Sequence, residues 1–278
     1  MSQNLWRILL LVGSLAASLG APCRADELGD KGRAIFRTNR QAVVIVELTL
    51  RNTVSFGGRG GRSAESRRDA AGTVIDPWGL TVLSFSSTDP ATLLAAMMPG
   101  RQEDPRVKME SELAEAKMVL ADGTEAPAQV VWRDKDDDLI FIRPKTKPAV
   151  PMAALDLSNP GEADILDEII AVTRVGAAAG RAYSASVERI SAVVQKPRLF
   201  YIPQASQTTT ALGSPAFTLD GKCLGVFVMR SLKGKEASGM FGGLQAENVA
   251  GVILPAAQIL KAAQQALAAG AAGEKKDR

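Results

Sequence analysis

Gly72-Thr73-Val74-Ile75-Asp76-Pro77-Trp78-Gly79-Leu80-Thr81-Val82-Leu83-Ser84-Phe85-Ser86 decides the fold. Two short runs rich in apolar and β-branched residues flank Pro77-Trp78-Gly79, so the stretch predicts strand, turn, strand. Neither run is long enough for a helix, and each is bounded by turn-forming residues. The pattern repeats outward. Upstream, Ala42-Val43-Val44-Ile45-Val46-Glu47-Leu48-Thr49-Leu50 reads as a strand. Downstream, Met118 to Leu120, the Asp122-Gly123 turn, Gln129 to Trp132 and Leu139 to Ile142 continue the series.

Two segments break the rhythm. Residues 51–70 hold Gly57-Gly58-Arg59-Gly60-Gly61-Arg62 and Arg67-Arg68, which read as a solvated basic hairpin loop, with Glu65 and Asp69 offsetting the charge. Arg101 to Lys117 interleaves Glu110, Glu112 and Glu115 with Met109, Leu113 and Ala116, a pattern that predicts a surface helix or ordered insertion. A shorter helix is expected over Pro90 to Met98.

Pro144, Pro148 and Pro151 mark a linker, because proline gives no amide to a sheet ladder. Strands then recur at Glu168 to Thr173, Ser186 to Val194, Phe217 to Leu219, Leu224 to Met229 and Gly251 to Leu254, before Ile259, Leu260, Ala263 and Leu267 take helical spacing. Short strands in two sets predict an all-β protein of paired barrels or sandwiches closed by a C-terminal α-helix. The expected organisation is a lead helix over 26–41, a first barrel over 42–150, a second over 151–255, a helix over 256–270 and a disordered tail over 271–278.

Residues 1–25 read as a signal peptide. Arg7 precedes the apolar stretch Ile8 to Ala21, and Cys23-Arg24-Ala25 places small residues around a cleavage point after Ala25. The alternative is an uncleaved anchor, disfavoured by Gly13, Ser14, Ser18 and Gly20; Pro22 argues against a lipid on Cys23. Cleavage would remove Arg7 and Arg24 from 33 basic residues and leave 31 against 30 acidic, so no global field would draw nucleic acid or anionic membrane. Cys223, inside an apolar run, reads as a buried core thiol.

The chain contains no histidine. A Ser-His-Asp relay and a histidine metal site are therefore excluded within it. No cofactor or metal is expected. The acidic cluster Asp134, Asp136, Asp137 and Asp138 lacks the glycine and glutamate of a calcium loop, and Gly57 to Gly61 lacks the ending of a phosphate-binding loop.

Taken in order, these segments resemble the trypsin-type protease domain of the HtrA family. That family's strand-turn-strand G-V-I-I-D-x-x-G-Y-I-L-T-N-N-H falls on Gly72 to Ser86; its L-x-D-G and following V-V-x-x-D-x-x-x-D-L fall on Leu120 to Gly123 and Val130 to Leu139. Its glycine-bracketed loop is similar to Gly176-Ala177-Ala178-Ala179-Gly180, and its N-P-G-N-S-G-G-P-L to Thr208 to Ala216, followed by Leu219-Asp220-Gly221 and Gly225. The resemblance spans roughly Ala42 to Leu260 and implies two six-stranded antiparallel β-barrels of the trypsin-like fold.

It also implies where catalysis would sit and what is replaced. The triad positions fall on Ser86, Asp138 and Leu212, and the oxyanion loop on Thr210, Ala211 and Leu212. Ser86 has no imidazole to take a proton and Leu212 no oxygen to attack a carbonyl, so no catalytic residue is expected to function. The implied role is binding of an extended polypeptide or partner protein, added as a strand along Leu224, Gly225, Val226, Phe227 and Val228 with Gln204 beside it. Homo-oligomers fit this reading; nucleic acid and, after signal cleavage, membrane do not. The implied location is periplasmic or secreted. The competing expectation is a histidine-free hydrolase using Ser214 with Lys222.

Overall fold

In the computed structural model, described over residues 27–56, 59–89, 107–204, 211–231 and 249–274, helix α1 (Glu27–Asn39) leads into twelve strands and closing helix α2 (Ala256–Glu274). The expected signal segment, the expected helix over Pro90 to Met98, Thr210 and the last four residues lie outside the described residues. β1 (Val43–Phe56), β2 (Arg59–Val74), β3 (Thr81–Ser84), β4 (Val107–Val119), β5 (Glu125–Asp134) and β6 (Leu139–Pro144) close one barrel in the order β1-β2-β3-β6-β5-β4. β7 (Glu168–Arg174), β8 (Tyr183–Val194), β9 (Phe200–Pro203), β10 (Pro215–Thr218), β11 (Cys223–Ser231) and β12 (Val249–Pro255) close a second in the order β10-β11-β12-β9-β8-β7. Every pairing is antiparallel, giving the two-barrel trypsin-like fold.

The continuous apolar runs have a plain cause: their strands are buried on both faces. Val44, Val46 and Leu48 fill the first barrel with Leu83, Met118 and Ile140, while Val43 turns into a core shared by both barrels. In β7, Ile169 and Ala171 point into the second barrel, and Ile170 and Val172 into the shared core. Leu80, Val82 and Phe141 meet Phe217, Val226, Val228 and Leu254 there, and α2 seals it with Ile259, Ala263 and Ala266. Cys223 lies in this core, and burial pushes its thiol up to about 12.

Two expectations are corrected. Arg101 to Lys117 is no helix where it is described, since Val107–Val119 is strand β4. Glu110, Glu112 and Glu115 are exposed while Leu113 is half-buried and Ala116 and Met118 are buried, the period-two alternation of a strand shifted once near Ala114 by a bulge. The basic loop is likewise largely strand. Phe56 pairs with Arg59, and the ladder then runs from Val54↔Arg62 to Val43↔Thr73. β1, β2 and β4 thus project beyond the barrel as a three-stranded arm, in which Asn52 Nδ2 donates to Ser66 Oγ (2.9 Å) and Ser111 Oγ donates to Asn52 Oδ1 (2.8 Å). β9 was not anticipated: Phe200-Tyr201-Ile202 has strand composition, but Pro197 and Pro203 bracket it as if it were a loop. Among the described residues, no helix is long and apolar enough to cross a membrane.

Candidate functional site

β3 ends in a 3₁₀ turn, Phe85–Ser87, which aims Ser86 at the tight turn between β5 and β6. That turn places Asp138 in the left-handed region at φ 55, so its carboxylate points inward, while its C=O accepts from Phe85 N–H at 2.8 Å. The carboxylate is only 7% exposed and takes four donors. Ser86 donates to Oδ1 through its backbone N–H (2.7 Å) and its hydroxyl (2.6 Å). Oδ2 accepts from the Ser84 hydroxyl and from Met229 N–H of β11 at 2.7 Å. Burial pushes the Asp138 carboxyl above its ordinary range, and these hydrogen bonds pull it back only in part.

Asp137 faces the other way. Its Oδ1 receives Arg198 Nη1 at 2.6 Å and Arg230 Nη1 at 3.3 Å, and Arg230 lies over the Phe200 ring. The hydrogen bond to Asp137, with its charge, raises the Arg198 guanidinium above its usual value.

The third position arrives on the turn before β10. Ala211 is half-buried, Leu212 is 4% exposed, and Ser214 N–H donates to Ala211 C=O at 2.9 Å. Gly213, at φ +84, abuts the first barrel so closely that a Cβ would stand 2.1 Å from Ala71 O and 3.4 Å from Leu83 Cα. Thr73 Oγ1 donates to Gly213 C=O at 2.7 Å. The structure therefore brings Ser86, Asp138 and the Leu212 turn to one seam between the barrels. None of these side chains can take a proton as imidazole does.

Over its first residues, the expected peptide-binding strand is paired within the second barrel. Leu224, Gly225 and Val226 lie where β10 pairs on one side of β11, and from Gly225 onward β12 pairs on the other. Gly225 comes so near Leu254 that a Cβ would sit 1.9 Å from its carbonyl oxygen. Phe227 donates its N–H to Ser214 C=O (2.9 Å) and accepts Gly213 N–H (2.8 Å). Val228 is fully buried, and beyond it Met229 N–H is held by Asp138. Gln204 stands apart from this cluster: its N–H donates to Arg189 C=O at 2.7 Å, and it lines an open depression with Val187, Glu188 and Arg189.

Ser214 and Lys222 are not brought together. The Ser214 hydroxyl donates to Thr173 Oγ1 at 2.6 Å and is fully buried, whereas Lys222 pairs with Asp220 at 3.2 Å at the other end of the β10–β11 hairpin.

Several residues of the seam escaped sequence reasoning. Ser84 and Met229 complete the shell of Asp138, and only the register of β3 and β11 could have revealed them. Across the same seam Arg181, also at φ 55, sends Nε to Asp69 Oδ2 (2.9 Å) and Nη2 to Asp69 Oδ1 and Glu47 Oε2 (both 3.1 Å). Those bonds, Asp69 first, raise its guanidinium further above its normal range. Arg174 Nη1 donates to Val119 C=O (2.9 Å) and lies over the Tyr183 ring at 4.8 Å.

Residues 100–226 match the family described as the trypsin-like peptidase domain. No curated protein matches the chain. Among solved structures it is similar to a variant of the HtrA-type protease AlgW with a tripeptide, at 15% identity and a TM-score of 0.52, covering 84% of this chain and 62% of that one. It is similar also to AlgW with a decapeptide, at 17% identity and a TM-score of 0.55, covering 86% of this chain and 68% of that one. At such identities the likeness is one of fold, and the chain spans less than two thirds of the length of the first.

Proposed function

We propose for this chain, whose residues 100–226 match the trypsin-like peptidase domain, a catalytically inactive role: an exported pseudoprotease that binds extended polypeptide or scaffolds a partner protein. The observation that carries the reading is the saturated Asp138 carboxylate. In a working triad this group would orient an imidazole. Here Ser84, Ser86 and Met229 take both its oxygens, and the chain has no histidine to receive. Leu212, buried at the nucleophile position, has no reactive atom.

Binding draws support from the peptide-bearing AlgW structures. In an extended strand the N–H and C=O of one residue point the same way, so Met229 C=O lies on the side toward Asp138. An added strand would therefore engage β11 from Met229 onward rather than over Leu224 to Phe227. The fit of residues 1–25 to a signal peptide supports export to the periplasm or medium.

The test is fluorophosphonate labelling and cleavage of an unfolded protein substrate, with Ser214→Ala as control. A folded protein that does neither is the expected result. Labelling and cleavage that vanish in Ser214→Ala would overturn the proposal and establish a histidine-free hydrolase.

A further inference from the structure

Beyond Phe227, among the described residues, only β12 pairs with β11, so the side of β11 that faces Asp138 is an open edge. The backbone groups of Phe227 and Met229 point to that side, and those of Arg230, one residue on, point to β12, where Arg230 pairs with Ala250. A strand laid antiparallel on the open edge would therefore meet Arg230 in a non-hydrogen-bonded pair, the arrangement that brings facing side chains closest. Arg230 shares one face of β11 with Val226 and Val228, the face turned toward the core between the barrels and toward Asp137.

On that face two guanidiniums share one carboxylate oxygen. Arg198, between β8 and β9, holds Asp137 Oδ1 at 2.6 Å, and Asp134 and Asp136 add their charge to that hold. Arg230 Nη1 reaches the same oxygen only at 3.3 Å, longer than the usual ionic hydrogen bond. Among the described residues, its Nε and Nη2 have no hydrogen-bond partner. The Phe200 ring, with its centre 5.4 Å from the guanidinium carbon, steadies the group, and 19% of the side chain stays exposed. Two guanidiniums against one carboxylate leave one positive charge over, and the distances put it on Arg230. Asp138 does not offset it, because its oxygens are already engaged by Ser84, Ser86 and Met229.

Resting on the reading that β11 binds extended polypeptide, we infer that Arg230 determines which polypeptide: one that carries an aspartate or glutamate at the position facing it. A carboxylate there gives the unfilled donors of Arg230 an acceptor in an opposite-charge cross-strand pair, and a lysine or arginine there is repelled. Arg198 acts on the same choice indirectly, by keeping Asp137 away from Arg230.

The test is fluorescence anisotropy with three labelled nonapeptides of alternating threonine and valine that differ only at the centre, which is glutamate, glutamine or lysine. The wild type is expected to bind the glutamate peptide about fivefold tighter than the glutamine peptide and the lysine peptide most weakly, with the gaps narrowing as salt rises. Arg230→Gln should bring the glutamate and glutamine peptides level. Arg198→Gln should narrow their gap as well, because it returns Asp137 to Arg230, a response that a merely structural Arg198 would not give. Circular dichroism melts establish that both variants are folded, and the ranking by the wild type stands without them. If the wild type binds the three peptides alike, or the preference survives Arg230→Gln, the inference falls and the peptide-binding reading stands. If the wild type binds none of them, both fall.

Discussion

Asp138 and Arg181 cross the seam from opposite sides. Each sits at φ 55 in a tight turn of its own barrel, and each holds backbone or side chains of the other. Their chemistry differs. Asp138 is buried and served by hydroxyls and amides, whereas Arg181 keeps a quarter of its side chain exposed and meets two carboxylates. The buried end stands on hydrogen bonds that water cannot replace. The open end stands on ion pairs that water and salt attenuate. A seam built this way is rigid at the Asp138 end and yielding at the Arg181 end.

The largest expected effect comes from the point of closest approach beside Asp138. Gly213→Ala would put a Cβ 2.1 Å from Ala71 O at a φ that alanine resists, forcing the barrels apart. The loss should reach about 3 kcal/mol, read as a lower denaturant midpoint at unchanged slope. If the midpoint barely moves, the two barrels are not pressed together there.

Next comes Asp138 itself. Asp138→Ala leaves Met229 N–H and Ser86 N–H buried without their acceptor, a loss of about 2–3 kcal/mol. Its titration supplies a second reading. Because burial raises the folded carboxyl above its unfolded value, the folded state holds the proton more tightly. The stability tied to that proton is complete below the unfolded value near 4, and it declines as pH rises through the folded value. Wild type minus Asp138→Asn should show that decline, while a flat difference would remove the burial argument.

Much of this seam was legible in the sequence, for reasons that differ by residue. Gly213 stands in the loop pattern that carries the resemblance, and the structure supplies the reason a side chain is excluded there. Asp138 was legible by spacing, but its partners were not, because Ser84 and Met229 join it only through pairing across β3, β6 and β11. Arg181 carried no signal beyond the glycine before it. Its partners lie more than a hundred residues away, and periodicity reports only local burial. The arm was misread for a related reason. The β2 end, exposed on both faces, shows no alternation, so Arg62 and Arg67 looked like loop, and the bulge at Ala114 breaks the alternation of β4, so Glu110 to Glu115 looked like helix.

At the open end, Arg181→Ala should lower stability by about 1 kcal/mol at low salt, with the difference shrinking as ionic strength rises. The salt response separates the two ends: Asp138→Ala should lose the same amount at any ionic strength. Equal salt dependence in both variants would erase the distinction between a buried and an open clamp.

Leu166 sharpens the comparison from outside the seam. It is the third residue other than glycine with positive φ among those described, at φ 73, yet its side chain is 68% exposed. Its N–H donates to Ile190 C=O, so the turn before β7 needs the conformation but not the leucine. At Asp138 and Arg181 the left-handed strain is offset by contacts across the seam, which glycine would forfeit. At Leu166 glycine would relieve the strain, which is about 1 kcal/mol for a residue with a Cβ, partly countered by greater freedom of the unfolded chain. Leu166→Gly should therefore raise the denaturant midpoint slightly, by about 0.5 kcal/mol, while Arg181→Gly lowers it. If Leu166→Gly is destabilising instead, its exposed side chain makes a stabilising contact, and left-handed residues in this fold are held by side-chain contacts even outside the seam.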